Sequence, residues 1–187
     1  FRITGTTMLK NLAITAAASA LLIAGCSTLA PAPVIDPLSQ PEAIRVPSGN
    51  VPALLLVGKG EITYECRAKA DTTDQFAWAF VAPNAALVTS AGLPAGRYYA
   101  GPTWEALDGS RVTGKQVAIA PATPGNIPLQ LVKAETTSGT ATLNNITYIQ
   151  RLNTLQGVAP ALPCNASLVN QKQIVSYQAD YVFYRAQ

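Results

Sequence analysis

Apolar side chains recur at every second position along much of this chain, and Gly, Pro, Asp or Asn breaks each run after a few residues. Phe76, Trp78 and Phe80 alternate with Ala77, Ala79 and Val81, and Ile62, Tyr64 and Cys66 alternate with Thr63, Glu65 and Arg67. Near the C-terminus, Tyr177, Ala179, Tyr181 and Phe183 face one way, while Gln178, Asp180 and Tyr184 face the other. A period of two puts successive side chains on opposite faces of a strand, so each run reads as a half-buried strand. Leu54 to Val57, Gln116 to Ala120, Ile127 to Ala134 and Ala141 to Leu152 add further runs, the last with Ile146, Tyr148, Gln150 and Leu152 on one face. Pro83 is expected to end the Phe76 run. No helical period stands out beyond the leader. The predicted class is all-β: a single-domain antiparallel β-sandwich or barrel of about eight to ten short strands, preceded by a helical signal peptide and a Pro-rich tether.

The stretch Tyr98 to Gly114 predicts the sharpest local structure. Asp108-Gly109 between two strand-like runs is a hairpin signal, because Gly accepts positive φ at little cost. A two-residue loop would pair Glu105 with Val112. A three-residue loop, Leu107-Asp108-Gly109, pairs Glu105 with Arg111 and Trp104 with Val112, which joins opposite charges and sets an aromatic against a β-branched residue. The second register is expected. Gly101-Pro102 should form a bulge or an edge position just before it.

The N-terminal residues read as an export signal. Residues 1–7 precede Met8, the expected start of translation. Lys10 and an apolar run from Leu12 to Ala24 follow, ending Ile23-Ala24-Gly25-Cys26. That run is too short to span a bilayer. The pattern over residues 8–25 resembles a bacterial lipoprotein signal peptide, which implies cleavage before Cys26, lipidation of Cys26 and a membrane partner through the lipid anchor. Ser27 after the cysteine points, by analogy with Gram-negative lipoproteins, to the outer membrane. Residues 26–50 hold Pro31, Pro33, Pro37, Pro41 and Pro47 without periodicity and read as a semi-rigid spacer. The folded domain is expected over residues 51–187.

Composition excludes several functions. The chain is 49% hydrophobic and 12% charged, the reverse of a disordered composition. Arg2 and Lys10 account for most of its +3 charge, so the mature part is nearly neutral and carries no nucleic-acid footprint. There is no histidine, which removes His general bases and His metal ligands. Gly58-x-Gly60 after an apolar run does not continue as a dinucleotide fingerprint, because Thr63 stands where a glycine is needed and a strand pattern follows. No cofactor or metal set is expected. With Cys26 assigned to lipid, Cys66 and Cys164 are left as a pair in an oxidising compartment and are expected to form a disulfide.

Four separated blocks resemble the DUF3455 family, a group of secreted or lipoprotein domains without an assigned function. They are Ile62-Thr63-Tyr64-Glu65-Cys66; Ala100-Gly101-Pro102-Thr103-Trp104-Glu105 with Asp108-Gly109-Ser110; Tyr148-Ile149-Gln150-Arg151-Leu152-Asn153-Thr154; and Ala179-Asp180-Tyr181-Val182-Phe183-Tyr184. The resemblance spans roughly Val51 to Tyr184. The family pattern usually has a histidine where Tyr98 stands and a tryptophan where Leu129 stands. Some fungal relatives carry a malate dehydrogenase label, which nothing in these residues supports.

Two functional readings follow. In the first, a non-catalytic envelope domain binds a glycan, a peptide or an envelope protein on an aromatic platform with a polar rim. Its candidate ligand-binding residues are Tyr98, Tyr99, Trp104, Glu105, Asp108 and Asp180. In the second, Glu105 and Asp108, or Asp180, are the two carboxyls of a hydrolase acting on an extracytoplasmic glycan. Calcium on Asp108, Ser110 and nearby carbonyls is a weaker alternative, since one carboxylate is few for that ion.

Overall fold

The computed structural model describes residues 35–72 and 74–187. The leader, Cys26 and the first prolines of the expected tether lie outside the described residues. Eight strands follow one another among the described residues: β1 (Asn50–Ala68), β2 (Phe76–Val88), β3 (Pro94–Tyr99), β4 (Thr103–Ala106), β5 (Arg111–Ala120), β6 (Leu129–Ser138), β7 (Ile146–Gln156) and β8 (Lys172–Ala186). Each pairs antiparallel with the next, and β8 returns to β1, closing a barrel. Closure gives the long first and last strands partners, so neither is left as the edge of an open sheet.

Several strands run further than their local signals suggest. The Leu54 and Ile62 runs are one strand, because Gly58 and Gly60 continue the ladder between β2 and β8. Gly58 is required by packing: a Cβ there would stand 2.6 Å from Cε2 of Tyr181, whose ring lies over it. Pro83 does not end β2 but pairs with Ile62 in mid-strand. On its other side β2 has no neighbour above Asn84, and a strand edge is where proline is tolerated.

The hairpin takes the three-residue register. Trp104 pairs with Val112 and Glu105 with Arg111, and Gly109 has φ +80°. Gly101-Pro102 is neither bulge nor edge. It lies in the β3–β4 turn, with Gly101 at φ +82° and Tyr98 paired to Trp104 across the hairpin. On β7 the expected single face is split by a register shift between Ile146 and Tyr148. Ile146 joins the inner core, while Tyr148 and Leu152 pack outside. One extra residue in a strand reverses the facing of everything beyond it.

Two apolar layers result. Inside the barrel, Tyr177, Ala179, Tyr181 and Phe183 of β8 meet Leu56, Leu87, Trp104, Val112 and Ile149. Outside, Ala120, Leu131, Leu152, Val182 and Tyr184 form a patch covered by the chain preceding β1. That chain makes short 3-10 turns at Pro37–Ser39 and Glu42–Ile44 and seats Ile44, fully buried, on the patch. Gln150 Nε2 donates to the carbonyl of Ile44 at 2.7 Å, and Tyr184 donates to Gln150 Oε1 at 2.6 Å. The end of the expected spacer is therefore a strap on the barrel wall, held there by the apolar side chains of Ile35, Ile44 and Val46.

Candidate functional site

The two ends of the barrel differ. At one end the β6–β7 connection folds inward and buries Leu143 as a plug. Asp108 and Ser110 hold that plug. Asp108 Oδ1 accepts from the Ser110 N–H at 2.8 Å and from its hydroxyl, Asp108 Oδ2 accepts from the Thr142 N–H at 2.9 Å, and Ser110 Oγ accepts from the Leu143 N–H at 3.0 Å. Arg185 donates to the carbonyls of Asn144 and Thr142 on the same loop.

The opposite end, which carries the β1–β2, β3–β4, β5–β6 and β7–β8 connections, is open. The cause is strand length. β3 and β4 bridge β2 to β5 only below Asn84 and Thr113. Above that level β2 continues to Phe76 and β5 to Ala120 with no strand between them. The gap exposes residues whose facing is inward: Phe80, opposite the inward Tyr64, is 56% exposed, and Ile119, opposite the inward Gln130, is 50% exposed.

A cavity of about 630 Å³ occupies this mouth. Its apolar wall comes from Ile62, Phe80, Val81, Pro83, Ile127 and Pro128, and its lip from Ala100-Gly101-Pro102 of the β3–β4 turn. Polar atoms enter from Tyr64, Tyr98, Gln116, Gln130 and Arg151, with Lys115 and Glu135 at the exposed rim. Tyr64 donates to the carbonyl of Gly157 at 2.7 Å, and the Tyr177 and Tyr181 hydroxyls lie 3.3 Å apart deeper in the barrel. Burial raises the pKa of Tyr64, Tyr98, Tyr177 and Tyr181 above the ordinary tyrosine value, so all four phenols stay protonated at neutral pH. Size, an apolar majority and a few convergent polar groups are the properties of a small-molecule site.

The expected site residues scatter over the molecule. Trp104 is 1% exposed in the inner core, stacked on Tyr98 at 4.7 Å between ring centroids and edge-on to Tyr181 and Phe183. It cannot serve as a platform, since no face of its ring is open. Tyr98 alone of the six lines the cavity. Tyr99 and Glu105 sit outside the barrel on β3 and β4. Glu105 accepts from the Tyr99 hydroxyl at 2.8 Å, from Arg97 at 3.0 Å, and pairs with Arg111 at 3.3 Å. The Tyr99 hydrogen bond, then that of Arg97, holds the Glu105 carboxyl below its ordinary range, which suits a fixed anion and not a proton donor. Asp108 is the turn clamp described above, with both oxygens engaged by N–H or O–H donors. Asp180 lies on β8 and accepts from Asn153 at 2.8 Å. No two of these carboxylates share a cleft, and Glu135 is the one carboxylate, among the described residues, that lines the cavity.

The cysteines pair as expected. Cys66 and Cys164 form a disulfide with their Cα atoms 5.5 Å apart. It ties the β7–β8 connection to the upper end of β1, beside the open mouth. The Trp78 indole N–H donates to the Leu162 carbonyl at 2.7 Å and pins the same connection.

The domain is thus an eight-stranded meander β-barrel with one plugged end and one open, apolar mouth. The family described as "Protein of unknown function (DUF3455)" matches residues 47–185, and the chain belongs to it. No curated protein and no solved structure matches the chain.

Proposed function

We propose that this domain is a non-catalytic binding barrel that holds a small, mainly apolar molecule in its open mouth, and that the chain is displayed in the cell envelope on a lipidated Cys26. The observation that carries the binding reading is the cavity itself, built where inward-facing Phe80 is left uncovered by the short β3–β4 hairpin. Burying an exposed aromatic and its neighbours against a ligand is favourable by about 25 cal/mol per Å² of apolar surface. The leader pattern and Cys26 support the envelope location, and the 98-residue disulfide loop suits an oxidising compartment.

The test is titration with the neutral fluorophore N-phenyl-1-naphthylamine. One saturable site is expected in the wild type. Ala100→Trp, an exposed lip position, should abolish it by filling the mouth while leaving the unfolding temperature unchanged. Absence of saturable binding in the wild type would refute the reading. For the anchor, a membrane fraction that loses the protein on Cys26→Ser is expected, and an unchanged fraction would remove lipidation.

A further inference from the structure

One cation in the cavity has no counter-charge. Arg151 projects inward from β7, in register with Gln130 on one side and Tyr181 on the other, and is half-buried. Its Nε and Nη2 both donate to the carbonyl of Pro128, at 3.1 and 2.8 Å. A guanidinium has five N–H donors, so this carbonyl leaves the outer part of the fork available. Among the described residues no carboxylate lies within ion-pair distance of it, all ion pairs being Arg67–Glu65, Arg97–Glu105 and Arg111–Glu105.

The nearest ionisable neighbours do not compensate it. Tyr64, Tyr98, Tyr177 and Tyr181 all sense the charge of Arg151, yet burial keeps each phenol neutral. Glu135 stands on the exposed rim, where solvent screens it. A guanidinium held by one carbonyl keeps donors to spare, and an arriving anion would gain charge-assisted hydrogen bonds from it. The Arg fork matches a planar carboxylate in a way that a point-charge ammonium does not.

We propose that the ligand is an apolar monocarboxylate, with its hydrocarbon body against Ile62, Phe80 and Pro83 and its carboxylate on Arg151. This rests on the binding reading above and adds the chemistry of the headgroup. Of the cavity's other polar side chains, Gln130 donates to Gln116 and Tyr64 to the Gly157 carbonyl, while Lys115, the other cation, stands on the exposed rim.

Displacement of N-phenyl-1-naphthylamine from the full-length protein by decanoate and by decan-1-ol, both below micellar concentration at neutral pH, tests it. Decanoate should displace the probe at a concentration about tenfold lower than the alcohol, the size expected of a hydrogen bond to a charged group. Arg151→Gln keeps a donor for Pro128 and should lose the preference for acid over alcohol, each displacement being read against the variant's own probe titration. Equal displacement by acid and alcohol in the wild type, or a preference that survives in Arg151→Gln, would overturn the proposal. If that variant fails to fold, Arg151→Lys carries the comparison: a reduced preference supports the fork, and an unchanged one overturns it. Failure of the probe to bind at all would instead remove the binding reading on which the headgroup rests.

Discussion

Asp108 Oδ2 accepts a hydrogen bond from the backbone N–H of Thr142 at 2.9 Å, joining two turns that lie 34 positions apart in sequence. The same carboxylate takes both donors of Ser110. These donors hold the Asp108 carboxyl well below its ordinary value of 3.8. A depressed carboxyl stabilises the fold fully above its unfolded value and loses that contribution as pH falls through the range below. The wild type should therefore lose thermal stability on acidification below pH 3.8. Asp108→Asn should start less stable at neutral pH and show a flatter acid limb, as measured by the unfolding temperature across pH. A parallel limb in the variant would mean that Asp108 is not the group responsible.

Trp104 is a core residue, and its removal is a stability experiment. Trp104→Ala should cost about 3–5 kcal/mol by urea denaturation, the range for deleting a buried aromatic. A ligand platform would behave in the opposite way, losing affinity with little loss of stability.

The Cys66–Cys164 disulfide closes a loop of 98 positions. Replacing both cysteines by Ala should destabilise by about 2–5 kcal/mol, most of it through the greater freedom of the unfolded chain. Equilibrium unfolding of the double variant, compared with the oxidised wild type, measures this. The reduced wild type should fall close to the variant, and a reduced protein as stable as the oxidised one would contradict the mechanism.

The strap is held by one apolar anchor and one polar latch. Ile44→Ala should cost about 2–5 kcal/mol if the strap and barrel unfold together. Gln150→Leu leaves the Tyr184 hydroxyl and the Ile44 carbonyl without partners and should cost about 1–3 kcal/mol. Limited proteolysis is the direct readout: both variants should expose the chain before Asn50 to cleavage while the barrel core resists.

The fold was legible where local chemistry decides it. Alternation along β8 places Tyr177, Ala179, Tyr181 and Phe183 inside, and Asp108-Gly109 determines its hairpin register, because both signals act over a few residues. The cavity was not legible, for two physical reasons. Its wall is assembled from β1, β2, β3, β5, β6 and β7, so no contiguous stretch carries its pattern. Arg151 stands between Gln150, whose side chain faces the strap, and Leu152, which packs in the outer layer, and reads locally as one more polar residue. Trp104 misled for a related reason. An aromatic beside a turn has the same sequence signature whether it faces in or out, and facing follows from register along the whole hairpin. The facing of Ile146 depends likewise on a bulge that composition does not announce.

The short β3–β4 hairpin sets what the barrel can accommodate. A cup with a full rim limits its contents to its own depth, whereas this one has a spout between Phe80 and Gln116. Under the proposed binding reading, a guest longer than the interior would lie with its head lodged within and its tail trailing sideways, so length would be filtered weakly and the head strongly. Extending β3 and β4 by a few residues would raise the rim there and turn a tolerant receptacle into one that measures its guest.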